Sequence, residues 1–237
     1  IKLRSKLKCE ILTNCIYGVD IDEQAVEVTK MSLCIKAIED TKREELYQEV
    51  NLFHEKVLPE LNGNIITGNS LVDANYYDSQ LDVGIKESNP VAVFPWKLKF
   101  KTVFQNGGFD AIVGNPPYVR IQTTNANAIN YFSGSYTSAT GNYDLYCLFV
   151  EKGFELLKEN GRFGYILPHR FFKTEYGTGL RKYISEHSCV AEIVDFDGFM
   201  IFATASINTC LLLMEKSNDS SSEFNYHQIK THRTKSF

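Results

Sequence analysis

The chain has 237 residues, 43% of them hydrophobic and 23% charged, and its 25 Lys and Arg against 29 Asp and Glu leave a formal net charge of −4. That composition belongs to a folded domain with a full core and excludes a disordered tail, a collagen-like chain and a coiled coil; the longest apolar run near the C-terminal end, Cys210-Leu211-Leu212-Leu213-Met214, is far short of the roughly 20 residues of a membrane span. The acidic balance excludes a module that holds nucleic acid by overall positive charge, so any such grip is local or comes from another domain.

Strand-like and helix-like segments alternate, which predicts an α/β architecture around a parallel sheet. Cys15-Ile16-Tyr17-Gly18-Val19-Asp20 reads as a short strand ending in an acid, and Asp22 caps the helix after it. In that helix Val28, Met31, Ile35 and Ile38 recur at spacings of 3, 4 and 3, the stripe of a buried face. Leu46, Val50, Phe53 and Val57 predict a second helix over 43–58, and Asn64 to Thr67 a brief strand leading into Gly68-Asn69-Ser70-Leu71. Residues 72–100 carry no period, but their aromatics Tyr76, Tyr77, Phe94 and Trp96 are expected to pack on the core. Phe109-Asp110-Ala111-Ile112-Val113-Gly114 is a strand with little polarity, which predicts a central position. Residues 119–142, rich in Asn, Ser, Thr, Ala and Gly, have no period either; a stretch of that length predicts a functional lid or a disordered segment.

Helix resumes over 143–158, with Tyr146, Phe149, Val150, Gly153 and Leu157 on one face and Asn160-Gly161 as its stop. Arg162 to Leu167 reads as a strand, 170–186 as a helix, and Cys189 to Phe196 and Ser206 to Met214 as strands. No helix fits between the last two, so they are expected to pair antiparallel at the end of an otherwise parallel sheet. Six cysteines, at 9, 15, 34, 147, 189 and 210, have neither CxxC spacing nor a His at ligand spacing. They predict reduced thiols in a cytosolic, hence cytoplasmic, protein rather than a disulfide frame or a zinc site.

The strongest chemical signal is Asn115-Pro116-Pro117-Tyr118, at the carboxyl end of an apolar strand, where open α/β sheets bind ligands. Two successive prolines remove two backbone donors and fix two φ angles. What remains is a rigid edge of acceptors, the Asn115 side-chain carbonyl and the Pro116 backbone carbonyl, suited to a planar NH2 group that donates twice. Tyr118 can stack on the flat ring or amide that bears the amine. Asp20, ending an earlier strand, can accept hydrogen bonds from ribose hydroxyls or equally cap the next helix. Asn69 can face an adenine amine or simply form a turn. Phe202, in an apolar loop before the last strand, can stack on the second face of a substrate ring or tuck into the core. His169 and Arg170, just after the strand 162–167, could reach a phosphate, but capping or surface roles account for them better.

These residues resemble the N6-adenine DNA methyltransferases of bacterial restriction–modification systems, in particular type II and type IIG enzymes with the gamma order of motifs. The likeness runs from about Ile11 to Lys216 and includes Ile16 to Asp22, Gly68-Asn69-Ser70-Leu71, Phe109 to Arg120, Asp144-Leu145-Tyr146, Gly161 to Pro168, and Phe202 to Lys216. It implies a Rossmann-like fold that uses S-adenosylmethionine, mostly parallel with an antiparallel C-terminal strand pair. It also implies double-stranded DNA as partner, with fused or partner specificity and nuclease domains. By resemblance, Asn115, Pro116, Pro117 and Tyr118 are catalytic, and Phe202 packs on a flipped base opposite Tyr118. Asp20 with Ile21, and Asn69 with Ser70, bind the cofactor; Asn69 stands where many relatives have Asp.

Residues 1–14 contain no glycine, so the family's glycine-rich first motif and first strand are expected to lie outside this chain. Residues 1–216 are therefore expected to be part of a catalytic domain and 217–237 the start of a linker or specificity domain. Two other functions stay open: methyl transfer to another planar nitrogen, of a protein glutamine or an RNA base, and an inactive remnant or binding module.

Overall fold

The computed structural model describes residues 5–39, 41, 58–78, 93–187, 189–199, 201, 207–217 and 223–229. The chain divides into two compact units, Ile1–Phe100 and Lys101–Phe237.

In the first unit α1 (Ser5–Cys15) precedes β1 (Gly18–Asp20), α2 (Glu23–Ile38) and β2 (Ile65–Thr67). The two strands pair parallel in register, Gly18 with Ile65 through Asp20 with Thr67, so their carboxyl ends lie side by side. α2 starts where its cap dictates: the Asp22 side chain accepts from the Gln24 amide at 2.9 Å, and Glu23 adds negative charge to the first turn. Its buried face differs from the expected one. Val26 and Ala37 are 2% and 1% exposed, and Val26 clusters with Leu61, Ile65, Leu33 and Cys34, whereas Val28, Met31 and Ile35 are 65%, 67% and 52% exposed. A helix with apolar residues on two faces gives periodicity no means of choosing between them; packing against the sheet makes the choice. α1 is an element that sequence reading omits. The helix expected over 43–58 lies outside the described residues except for Leu58.

Tyr76 and Phe94 are buried as expected, and the Trp96 indole donates to the Ser70 carbonyl at 3.0 Å. Tyr77's side chain lies outside the described residues. Phe94 also explains Gly68, where a Cβ would stand 2.4 Å from the Phe94 ring. Gly68→Ala is expected to cost about 1–3 kcal/mol, read as a lowered urea midpoint.

The second unit holds β3 (Phe109–Gly114), a 3-10 turn at Ile121–Thr123, α3 (Ala126–Ser135), α4 (Tyr146–Leu156) and β4 (Leu157–Pro168). A 3-10 turn at His169–Phe172, α5 (Thr178–His187), β5 (Cys189–Asp195), β6 (Thr209–Glu215) and β7 (Asn225–Gln228) follow. The described sheet runs β3-β4-β6-β5-β7. β3 is parallel to β4 and β5 to β7, while β6 is antiparallel to both β4 and β5. The expected antiparallel pair is therefore β5 with β6, and β6 lies between β4 and β5 inside the sheet. β7 falls within 217–237, the residues read from sequence as the start of a linker or further domain. Leu148, Phe154, Leu157, Leu167, Phe171, Leu180 and Leu212 form the buried core of this unit.

Four sequence expectations are corrected here. Among the described residues β3 stands at an edge of the sheet rather than centrally: only β4 pairs with it, and Val113 is 83% exposed. Apolar content reports what a strand can bury, not which neighbour it has. Residues 119–142 include the Ile121–Thr123 turn and α3, so of the two expectations the disordered segment is overturned; Asn125 caps α3 by accepting from the Ala128 amide at 3.0 Å, and Phe132 and Tyr136 are buried. A short helix with so few apolar contacts shows little periodicity. Asn160-Gly161 is not a helix stop, because α4 already ends at Leu156. Asn160, at φ 61°, sits where the β3–β4 register jumps from Phe109 opposite Leu157 to Ala111 opposite Arg162, so the Asn-Gly signal marks a bulge. α5 begins at Thr178 rather than at 170, after Gly177, where a Cβ would stand 2.2 Å from the Phe171 carbonyl oxygen.

Candidate functional site

The first unit presents Asp20 and Asn69 from adjacent parallel strand ends, tied by the Gly68 amide donating to the Asp20 carbonyl at 2.8 Å. The strands are aligned from below by Asn64, a buried amide that donates to the carbonyls of Thr13 at 2.8 Å and Ile16 at 3.0 Å. The Asp20 side chain is exposed; one carboxylate oxygen accepts from the Asp22 amide at 2.9 Å, and the other has no partner among the described residues. Ile21 beside it is 67% exposed. The Asn69 carbonyl oxygen accepts from the Leu71 amide at 3.1 Å, which commits part of its acceptor capacity to a local turn and leaves its NH2 group as a donor. Ser70 is half-buried and engages Trp96 through its backbone carbonyl.

The second unit carries Asn115-Pro116-Pro117-Tyr118 at the carboxyl end of β3. Asn115 and Pro117 are exposed, Pro116 is buried and Tyr118 half-buried. Among the described residues neither the Asn115 side chain nor the Pro116 carbonyl has a hydrogen-bond partner, so both acceptors of the rigid edge are unspent. Tyr118 is fixed by its tip: its hydroxyl donates to the Ile166 carbonyl of β4 at 3.1 Å, and its ring meets Tyr146 edge-on at 6.3 Å. Burial, with Cys210 nearby, pushes the Tyr118 phenol up to about 12, so it remains a donor at neutral pH. Phe202, the expected second stacking residue, lies outside the described residues.

Behind this edge lie buried polar groups whose pairings the sequence does not reveal. The Asp144 carboxylate accepts from Arg170 at 3.2 Å, and the Glu151 carboxylate accepts from the Thr137 and Ser138 amides at 2.9 and 2.7 Å. Their signal in the sequence is an acid within an otherwise apolar run, Asp144 to Glu151. His169 Nδ1 lies 3.0 Å from Asp195, which also accepts from the Asp197 amide and the Tyr226 hydroxyl, linking β4, β5 and β7. Burial pulls the Asp195 pKa up, but the Asp197 amide, His169 and Tyr226 outweigh it and hold the carboxyl below its ordinary range. Such a group contributes stability above the unfolded value, about 4, and that contribution is lost as pH falls through the folded value. Asp195→Asn is therefore expected to lower stability at neutral pH and to flatten its decline as pH falls below about 4, read from denaturant midpoints at neutral and acid pH. Burial also pushes the thiols of Cys147 and Cys210 up to about 12, so both stay protonated. Among the described residues no helix is long and apolar enough to cross a membrane.

Residues 14–202 match the family of Eco57I restriction-modification methylases. The chain is 34% identical over 232 residues to the type II restriction enzyme and methyltransferase RM.Eco57I of Escherichia coli, covering 97% of this chain and 21% of that protein. It is 25% identical over 198 residues to the adenine-specific methyltransferase PglX of Streptomyces coelicolor, covering 78% of this chain and 16% of that protein. The chain thus spans about a fifth of the length of the first of these curated relatives and about a sixth of the second. Among solved structures, the DrdV–DNA complex matches over 96% of this chain and 22% of that one with a TM-score of 0.61 at 15% identity, a likeness of fold.

Proposed function

The chain belongs to the Eco57I restriction-modification methylase family, and we propose that the protein carrying it transfers a methyl group from S-adenosylmethionine to the N6 amine of adenine in DNA. The observation that carries this reading is the pair of unspent acceptors at the end of β3, the Asn115 side-chain carbonyl and the Pro116 carbonyl, on a backbone stiffened by two prolines. An aromatic amine donates two hydrogen bonds in its own plane. The name of the relative PglX, an adenine-specific methyltransferase, supports adenine as the base.

The residues fit the cofactor. Asp20 has one carboxylate oxygen for ribose hydroxyls, and Asn69 has an NH2 group for a ring nitrogen of the cofactor's adenine. Ile21 offers an exposed apolar side chain next to Asp20, and Ser70 a hydroxyl next to Asn69. S-adenosylmethionine, when bound, supplies a methyl group on a positive sulfur, which is strongly electrophilic.

The chain's own residues then orient the nucleophile. Asn115 and Pro116 accept the two N–H bonds and so fix the direction of the nitrogen lone pair. Their hydrogen bonds strengthen as the nitrogen gains positive charge on methylation, so they stabilise the transition state more than the ground state. Tyr118, held at its hydroxyl by Ile166, offers its ring as a stacking face. In the same proposal Phe202 packs on the opposite face. The amine of a paired adenine is unreachable, so the base must leave the duplex. Double-stranded DNA is thus the proposed partner, within a restriction–modification enzyme that acts in the cytoplasm.

The test is to incubate the complete protein with S-adenosylmethionine labelled in the methyl group and mixed-sequence duplex DNA, then to digest the DNA and identify the labelled nucleoside. Label in N6-methyladenine is expected. Label in a cytosine derivative, or in RNA or protein but not DNA, would refute the reading.

A further inference from the structure

The side chains at the exit of the Asn115–Tyr118 loop form a charge cluster that orienting the amine does not use. Val119 to Ile121 run antiparallel to Tyr143 to Leu145. The Leu145 amide donates to the Val119 carbonyl at 2.8 Å, the Ile121 amide donates to the Tyr143 carbonyl at 3.1 Å, and Arg120 stands opposite Asp144. Directly opposed residues of an antiparallel pair project to the same face, so Arg120 and Asp144 share one. The Asp144 side chain, 3% exposed, accepts from Arg170 Nη2 at 3.2 Å and from the Tyr176 hydroxyl at 3.5 Å. Arg170 arrives from the 3-10 turn after β4, the strand next to β3.

One guanidinium, Arg170, is paired with the Asp144 carboxylate, and a second, Arg120, projects from the backbone position opposite Asp144 without pairing to it, which leaves an excess of one positive charge two residues beyond Tyr118. Neither is saturated. The Arg170 side chain is 41% exposed, so part of its guanidinium faces solvent, while its Nε is buried and has no acceptor among the described residues. The Arg120 side chain is exposed and has no hydrogen bond or ion pair among the described residues. In a chain of net charge −4, this is a local concentration of positive charge beside the proposed amine-binding edge. Guanidinium groups present planar, charged donors that match phosphate oxygens.

We infer that Arg120 and Arg170 bind a backbone phosphate of the DNA strand next to the extruded adenine, with Asp144 holding Arg170 in place. The inference rests on the reading of the protein as a DNA methyltransferase. Extruding a nucleotide rotates it about its own backbone, and a fixed phosphate keeps the base in register with the acceptor edge. If Arg170 served only to neutralise Asp144, the unpaired Arg120 on the same face would have no role in binding.

The test is the salt dependence of DNA binding by the complete protein, with a fluorescein-labelled mixed-sequence duplex of about 30 base pairs and NaCl from roughly 50 to 300 mM. Removing one cation from a phosphate should reduce the slope of log K against log salt by about 0.9. Arg120→Ala and Arg170→Ala are each expected to lower the slope by that amount, and the double variant by about twice it. Arg170→Lys, which keeps the charge, is expected to retain most of the slope. A structural role alone would move none of these slopes. Should Arg170→Ala fail to fold with Asp144 unpaired, Arg120→Ala decides, because its side chain supports nothing else among the described residues. A wild-type protein that methylates DNA while Arg120→Ala keeps the full slope overturns this inference alone. Slopes that fall in a protein that never methylates DNA overturn the methyltransferase reading and leave the phosphate contact standing.

Discussion

Asn115→Ala in the complete protein is expected to lower the rate of methyl transfer by about a hundred- to a thousandfold, the usual cost of removing one preorganised electrostatic partner of a transition state. The fold is expected to survive, with stability changed by no more than about 0.5 kcal/mol. The structure supplies the reason for both halves. The Asn115 side chain is exposed and has no hydrogen-bond partner among the described residues, so its loss leaves no buried group orphaned. Its backbone position is set by neighbours that the substitution does not touch: β3 paired to β4 on one side and two prolines on the other. What disappears is one acceptor of a two-acceptor edge. The Pro116 carbonyl alone can hold one N–H of the amine but cannot fix the rotation of the NH2 group, so the lone pair is no longer aimed. Asn115→Asp keeps an acceptor oxygen at the same place and is expected to lose less than the alanine variant. Single-turnover transfer of labelled methyl groups at saturating DNA, with a denaturant titration of each variant, checks the pair of expectations. Near-normal turnover in Asn115→Ala would remove Asn115 from the chemistry, and loss of activity matched by loss of fold would make its role structural.

The parts of this arrangement that are legible in the sequence share one property: they are local. A short apolar run followed by polar residues marks the ends of β1, β2 and β3, and these ends carry Asp20, Asn69 and Asn115. The antiparallel pairing of β5 with β6 follows from a connection too short for a helix. The illegible parts depend on partners distant in sequence. Nothing local announces that Asn64 will hold the carbonyls of Thr13 and Ile16, or that Asp195 will join His169 to Tyr226. The same limit explains the wrong face of α2, where Val28, Met31 and Ile35 make as good a stripe as the one that Val26 and Ala37 bury. It explains β3 as well, since apolar residues such as Val113 describe a strand suited to two neighbours but cannot supply them. Asn160-Gly161 shows a related ambiguity: one dipeptide serves a helix end or a bulge, and only the register across β3 and β4 distinguishes them.

Glu151→Ala is expected to destabilise the second unit by about 3 kcal/mol. Glu151 is 2% exposed on α4, among Leu148, Val150 and Phe154. A carboxylate there is tolerated only because its oxygens are supplied with donors. One oxygen accepts from the Thr137 amide and hydroxyl, both at 2.9 Å, and the other accepts from the Ser138 amide at 2.7 Å. Alanine leaves two amides without acceptors, that of Ser138 buried and that of Thr137 beside solvent, and each such charge-assisted bond is worth about 1.5–3 kcal/mol, less where water can replace it. The relief of a buried charge offsets part of that sum, which brings the net to the figure above. Glu151→Gln preserves the volume but sets an NH2 group against one of the N–H donors, so an intermediate loss is expected. The consequence extends beyond stability. Ser138 also donates its hydroxyl to the Cys147 carbonyl at 3.3 Å, and the chain from here enters Tyr143–Leu145, whose backbone pairs with Val119–Ile121 directly after Tyr118. Releasing Thr137 and Ser138 should therefore loosen the far side of the amine-binding loop. Hydrogen exchange at the amides of residues 137, 138, 121 and 145 is expected to quicken in Glu151→Ala at temperatures where the variant remains folded, and methyl transfer to fall under the same conditions. Protection unchanged at residues 137 and 138 would show that the carboxylate does not anchor the segment; faster exchange confined to those two, with full activity, would separate the anchor from the site.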